Sequence, residues 1–138
     1  MIYQGRVIFG DTDQMGVVYH GNYLRYFEGS RAAFLRACGH THQSLGDWGV
    51  ALPVVEANVR YLSPARYEDL IDIHIVVTEV RTASMRFGYR AVRAGELLAT
   101  GFTRHAVVST KSGRACRMPV PLRELLEEFG GPDDRIIT

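Results

Sequence analysis

The sequence predicts an α+β domain in which one long helix packs against a curved antiparallel sheet of about five strands. Aromatic residues recur at three- and four-residue spacing early in the chain. Period-two alternation then fills the middle of the chain, and short joins, one of them bearing Gly95, separate the alternating runs.

The elements follow in order. Tyr3 to Phe9, with Val7, Ile8 and Phe9, reads as a first strand, ended by Gly10 and the Asp11-Thr12-Asp13 loop. From Asn22 to Ala37 the residues Tyr23, Phe27, Ser30, Phe34 and Ala37 line one helix face, with Leu24 and Leu35 beside them, so a mostly buried helix is expected, stopped by Gly39. A short turn of helix fits Gln43 to Trp48. Val54 to Tyr61 forms the next strand, and Ile71, Ile73, Ile75 and Val77 line a face of the one after it. Met85, Phe87, Tyr89 and Ala91 line another, joined through Arg93-Ala94-Gly95-Glu96 to a last strand from Leu97 to Val108. Joins this short make neighbouring strands antiparallel. Pro121 opens a terminal helix with a Leu122, Leu125, Leu126 and Phe129 stripe, closed by Gly130-Gly131-Pro132, and 133–138 reads as a frayed tail.

A length of 138 residues suits a single domain spanning 1–138. The 46% hydrophobic and 22% charged content is that of a globular chain. A net charge of +1 with interspersed signs gives no global field toward nucleic acid or anionic membranes, so an anionic ligand must be met by local arginines. No basic stripe interleaved with aromatics points to nucleic acid. Cys38 and Cys116 lack paired ligand spacing, so no metal is expected, and they read as free thiols of a reducing compartment. With no signal-like N-terminus and no run near the roughly 20 apolar residues of a span, a cytoplasmic chain without membrane insertion is expected.

The chemistry concentrates in the stretch from Phe9 to Tyr23, FGDTDQMGVVYHGNY, where a carboxylate loop directly precedes a helix start. Unpaired N–H groups at such a start suit an oxyanion, and Asp13 supplies a base, a pairing suited to acyl transfer to water. From the residues alone, a helix cap remains the competing role for Asp13.

Asp-Thr-Asp, two residues, Gly-Val-Val-Tyr-His, one residue, Asn-Tyr resembles the signature of the 4-hydroxybenzoyl-CoA thioesterase family, and most closely its Tol-Pal-associated short-chain acyl-CoA branch. Leu52-Pro53-Val54-Val55 and Pro64-Ala65-Arg66-Tyr67-Glu68-Asp69 extend the likeness over nearly the whole chain. The resemblance implies a hotdog fold and dimers joined sheet edge to sheet edge, or tetramers, with active sites between subunits. It implies acyl-CoA hydrolysis without a cofactor, CoA being part of the substrate.

On that resemblance Asp13 is the catalytic carboxylate, acting as general base or as nucleophile, while Asp11 organises the loop. The His20 N–H polarises the thioester carbonyl, and the His20 imidazole bonds Asp13, orients water or merely packs. Tyr19, Asn22 and Tyr23 shape the pocket or begin the helix, with core packing as the alternative for both tyrosines. Glu28 lies where related enzymes place an acid, with a polar contact inside the helix as the alternative. Arg81 and Ser84 stand where the family grips CoA, and Arg114 or Arg117 suits its phosphates, with surface solvation as the alternative. Ala83 departs from the lysine of the aromatic-acyl member, so that member's nucleotide-binding mode does not carry over. Competing functions are hydrolysis of thioesters on acyl carrier protein, a hotdog dehydratase, and a non-catalytic acyl-CoA-binding or interaction module.

Overall fold

The computed structural model describes residues 1–130. Its elements are β1 (Ile2–Arg6), a 3-10 turn (Phe9–Asp11), α1 (Asn22–Ala37), α2 (His42–Asp47), β2 (Val50–Ala51), β3 (Val54–Tyr61), β4 (Leu70–Val80), β5 (Ser84–Arg93), β6 (Glu96–Ala106), β7 (Val108–Ser109) and α3 (Val120–Glu128). Five strands form one sheet in the order β1-β4-β5-β6-β3, every neighbour pair antiparallel. Register shifts in β3, β4 and between β5 and β6 bend the strands. The α+β architecture is the hotdog fold expected from the sequence.

Alternation sets the core. Ile71, Ile73, Ile75 and Val77 on β4, and Met85, Phe87, Tyr89 and Ala91 on β5, are all buried. Against them α1 buries Tyr23, Phe27, Ser30, Phe34 and Leu35. Phe27 stacks on Tyr89 at 4.2 Å and Phe34 meets Phe87 edge-on at 5.4 Å. A fully buried Phe contributes roughly 2–3 kcal/mol, so these two anchor the helix to the sheet. Gly101 makes the seat possible, because a Cβ there would lie 2.4 Å from the Asn58 carbonyl and 2.7 Å from the Phe27 ring.

Several boundaries differ from the sequence expectation. The first strand ends at Arg6 instead of Phe9, because the Asp11 carboxylate accepts the Ile8 N–H (3.2 Å) and tightens Phe9–Asp11 into the 3-10 turn. The last strand stops at Ala106; Val108 begins β7, which pairs with β2, a strand not anticipated. Pro121 stands second in α3, after Val120. Leu122 and Leu126 are fully buried there, and Phe129 packs edge-on against Phe34. The predicted tail, 133–138, lies outside the described residues.

The mostly buried α1 is a second difference. Leu24 is 40% exposed, and Arg25, Glu28 and Arg36 are also exposed, so only one face of the helix meets the sheet. The uncovered face borders a groove beside β3, an edge strand whose residues are nearly all exposed. No helix among the described residues is long and apolar enough to cross a membrane.

Candidate active site

The two aspartates of the loop have separate environments. Asp11 is buried, and its carboxylate accepts Tyr26 Oη (2.9 Å) and the Ile8 N–H while pairing with Arg25. Its carbonyl accepts the Tyr19 N–H (2.9 Å) and Asn22 Nδ2 (2.8 Å). Burial, then the hydrogen bond and charge of Asp11, push the Tyr26 phenol far above its ordinary range, so it remains a donor. Asp11 therefore clamps the loop to the first turns of α1, as its loop-organising assignment requires.

Asp13 sits two residues on, half-buried, at the first position of a reverse turn. The Gly16 N–H closes that turn on the Asp13 carbonyl at 3.0 Å, and Gly16 takes φ +77°, a conformation glycine adopts without strain. Asp13 Oδ1 accepts the Met15 N–H at 2.8 Å. The residue flanking α1 as its cap is Gly21, with no side-chain cap bond, so Asp13 is not a helix cap. Its carboxylate faces a cleft of about 370 Å³ shared with Val17, His20, Tyr23, Tyr61 and Pro64.

His20 lies on the opposite side of the loop, just before α1. Among the described residues its N–H makes no hydrogen bond. Its carbonyl is held by the Tyr61 hydroxyl at 2.7 Å. The imidazole makes ring contacts with Tyr19 (4.3 Å) and Tyr61 (6.2 Å) and has no hydrogen bond to Asp13. Tyr61 also meets the buried Tyr23 edge-on at 5.3 Å. Burial first, then each phenol's neighbouring tyrosine, raises the pKa of Tyr23 and Tyr61, so both line the cleft as neutral hydroxyls.

The cleft wall opposite the loop is braced from below. Arg93 donates to the Pro64 carbonyl (3.0 Å) and Asp69 (2.7 Å) and pairs with Glu96. Burial would raise the Asp69 pKa, but the Arg66 N–H and the Arg93 guanidinium outweigh it and hold the carboxyl below its ordinary value.

The other predicted site residues are dispersed. Tyr19 is exposed with its ring against that of His20, and Asn22 directs its amide to the Asp11 carbonyl; neither lines the cleft. Glu28 is exposed on α1 and borders the groove beside β3 instead of the Asp13 cleft. Arg81 and Ser84 flank the β4–β5 turn, where Ser84 pairs with Ala106 beside the Val54 end of β3. Arg81 pairs with Glu79. Arg117 joins this end, since its neighbour Met118 donates to the Thr82 carbonyl at 2.8 Å. Arg114 is exposed in the turn after β7. The Asp13 cleft adjoins Tyr61, the other end of β3, and seven residue steps of ~3.3 Å separate the two ends by ~23 Å. Within one chain the CoA-gripping candidates are thus remote from Asp13. Tyr61 is a cleft residue that sequence reading missed, as are Leu62 and Ser63, because a tyrosine closing an edge strand carries no local mark of its contact with His20.

One long helix on a single antiparallel sheet is the hotdog fold, and the relatives that share it make the chain a thioester hydrolase. The chain belongs to the thioesterase-like superfamily, whose family model matches residues 7–129. It is 35% identical over 104 residues to the acyl-CoA thioesterase YbgC of Haemophilus influenzae, covering 75% of this chain and 76% of that one. A hypothetical protein of Thermus thermophilus has a similar solved structure, with TM-score 0.86, 34% identity, and coverage of 93% and 98%. So has a DHNA-CoA thioesterase of Staphylococcus aureus, with TM-score 0.84, 25% identity, and coverage of 92% and 88%.

Proposed function

We propose that the chain hydrolyses acyl-CoA thioesters, as the short-chain branch of the 4-hydroxybenzoyl-CoA thioesterase family does, in the cytoplasm and without a cofactor. The observation that carries this reading is the cleft lined by both Asp13 and His20 at the start of α1, where the His20 N–H has no partner among the described residues. The thioester oxygen takes the His20 N–H, where the helix start favours developing negative charge. Asp13 removes a proton from water as it attacks the carbonyl carbon. Alternatively, its carboxylate attacks directly and water cleaves the resulting anhydride. In both routes the C–S bond breaks, CoA leaves as the thiolate, and the acid remains.

The working unit is a dimer formed along β3, with tetramers of such dimers as the further possibility. β3 is a sheet edge bearing exposed Val54, Val55 and Tyr61, with exposed Leu62 just beyond it. Two-fold antiparallel pairing of β3 with its copy sets the Val54 end of one chain beside the Tyr61 end of the other. Arg81, Ser84 and Arg117 of the second chain are then the CoA-binding group for Asp13 of the first.

The test is release of free CoA from short, long and aromatic acyl-CoAs by the wild type and Asp13→Asn. The folded variant should lose roughly a thousandfold or more in kcat, because an amide neither deprotonates water nor forms the anhydride. Near-normal turnover by Asp13→Asn sinks the mechanism. Faster cleavage of the same acyl group from acyl carrier protein moves the substrate class.

A further inference from the structure

Two further cavities follow the gap between α1 and β3, of about 490 Å³ and about 200 Å³, and both are bordered by Glu28, Arg31 and Val54. Thr103 lines the first, together with Arg25, whose guanidinium is already paired with Asp11, and His105 lines the second; Leu24 and Ala57 add apolar wall to one and Leu35 and Leu52 to the other.

Along these cavities runs a continuous chain of side-chain hydrogen bonds. Arg31 donates to Tyr89 Oη (3.0 Å), which lies 2.6 Å from Thr103 Oγ1; Thr103 Oγ1 is 2.8 Å from His105 Nε2, and His105 Nδ1 is 2.9 Å from the Leu52 carbonyl. The two ends fix the direction, since a guanidinium only donates and a carbonyl only accepts. One arrangement satisfies both hydroxyls, with every proton pointing away from Arg31. Tyr89, Thr103 and His105 are buried, so they hold Arg31 in place while their own protons stay engaged within the chain.

Among the described residues the remaining N–H groups of Arg31 make no hydrogen bond. Among the described residues its one hydrogen bond is to a phenol, which burial keeps neutral, and it has no carboxylate partner. A half-buried cation without a counter-charge, beside an apolar cavity, is completed by an anion. Glu28 borders the same cavities but is exposed, where solvent screening weakens its opposition. From Asn22, at the start of α1, to Arg31 is nine residues, ~14 Å of helix, a distance a medium-length acyl chain and the arginine side chain bridge together.

Resting on the acyl-CoA hydrolase reading, we propose that this groove holds the acyl group and that Arg31 selects acyl groups ending in a carboxylate, the CoA half-thioesters of dicarboxylic acids. Adipoyl-CoA and hexanoyl-CoA, matched in length, test it. The wild type should favour adipoyl-CoA in kcat/KM by tenfold or more. Arg31→Met should lower adipoyl-CoA turnover ~10- to 100-fold and leave hexanoyl-CoA within about threefold, whereas Arg31→Lys should retain part of the preference. An equal loss on both substrates, the sign of a grip on CoA or of a structural role, overturns the inference. So does a wild type that favours hexanoyl-CoA, a result that needs no variant to fold. Failure to hydrolyse either thioester, together with failure on the short, long and aromatic acyl-CoA panel, refutes the hydrolase reading itself. In that case, calorimetry showing adipoyl-CoA bound no more tightly than hexanoyl-CoA by the wild type overturns the inference separately.

Discussion

Asp11 and Asp13 are two residues apart, and the same change, aspartate to asparagine, should have opposite consequences at the two sites. The Asp11 carboxylate is buried and receives a phenol, a backbone N–H and a guanidinium. Asparagine offers one acceptor oxygen and sets an NH₂ group against one of those donors. Hydrogen bonds to a charged group contribute ~1.5–3 kcal/mol each, but Arg25 is 56% exposed, so its share must be discounted. A net loss of about 2 kcal/mol is expected for Asp11→Asn, or ~6–10 °C in Tm for a domain of this size. Asp13 is half-buried and accepts one local N–H, which the asparagine oxygen can keep, so Asp13→Asn should stay within ~0.5 kcal/mol of wild type. Thermal melts and CoA-release assays on both variants provide the measurement. Asp13→Asn should be stable and inactive, and Asp11→Asn destabilised with residual activity below its melting range. A stable, inactive Asp11→Asn would refute the division of roles and put the chemistry on the buried carboxylate.

His20→Ala keeps the backbone N–H, so the loss in kcat should be roughly ten- to a thousandfold, smaller than at Asp13; a variant as dead as Asp13→Asn would make the imidazole an equal partner. Tyr61→Phe removes the hydroxyl on the His20 carbonyl but keeps the ring against Tyr23. One such bond contributes ~1 kcal/mol, so kcat should fall about fivefold with little change in KM, and an unchanged kcat would remove Tyr61 from positioning. The Asp69 pKa is held down in the fold, so its contribution is present above its unfolded value near ~4 and lost as pH falls through the lower folded value. Asp69→Asn should therefore flatten the acid limb of a Tm-against-pH curve, and parallel curves would contradict that role. Sedimentation at micromolar concentration should give a dimer or tetramer, and a strict monomer would defeat the shared-site reading.

The sequence by itself determined those features that repeat along the chain. Tyr23, Phe27, Ser30 and Phe34 recur at helical spacing, and the bounds of α1 followed, because a stripe with that period can be buried only along one face of a helix. The strict alternation of β4 and β5 did the same for the inner face. Asp13 was legible through its local signature, since the turn and the helix start that frame it are near neighbours in sequence. Tertiary structure decided what depends on residues far apart. An apolar Val7-Ile8-Phe9 run reads as strand, yet a buried carboxylate held by Arg25 and Tyr26 folds it into a turn. Tyr61 reaches the His20 carbonyl across 41 residues because β3 ends beside the loop. Registers across β3, β6 and β5 set Arg81 and Ser84 at the far end of the sheet from Asp13 and align Tyr89, Thr103 and His105 beneath Arg31. Periodicity reports which face a residue occupies, whereas strand order and register determine which residues meet there, and those are properties of the whole sheet.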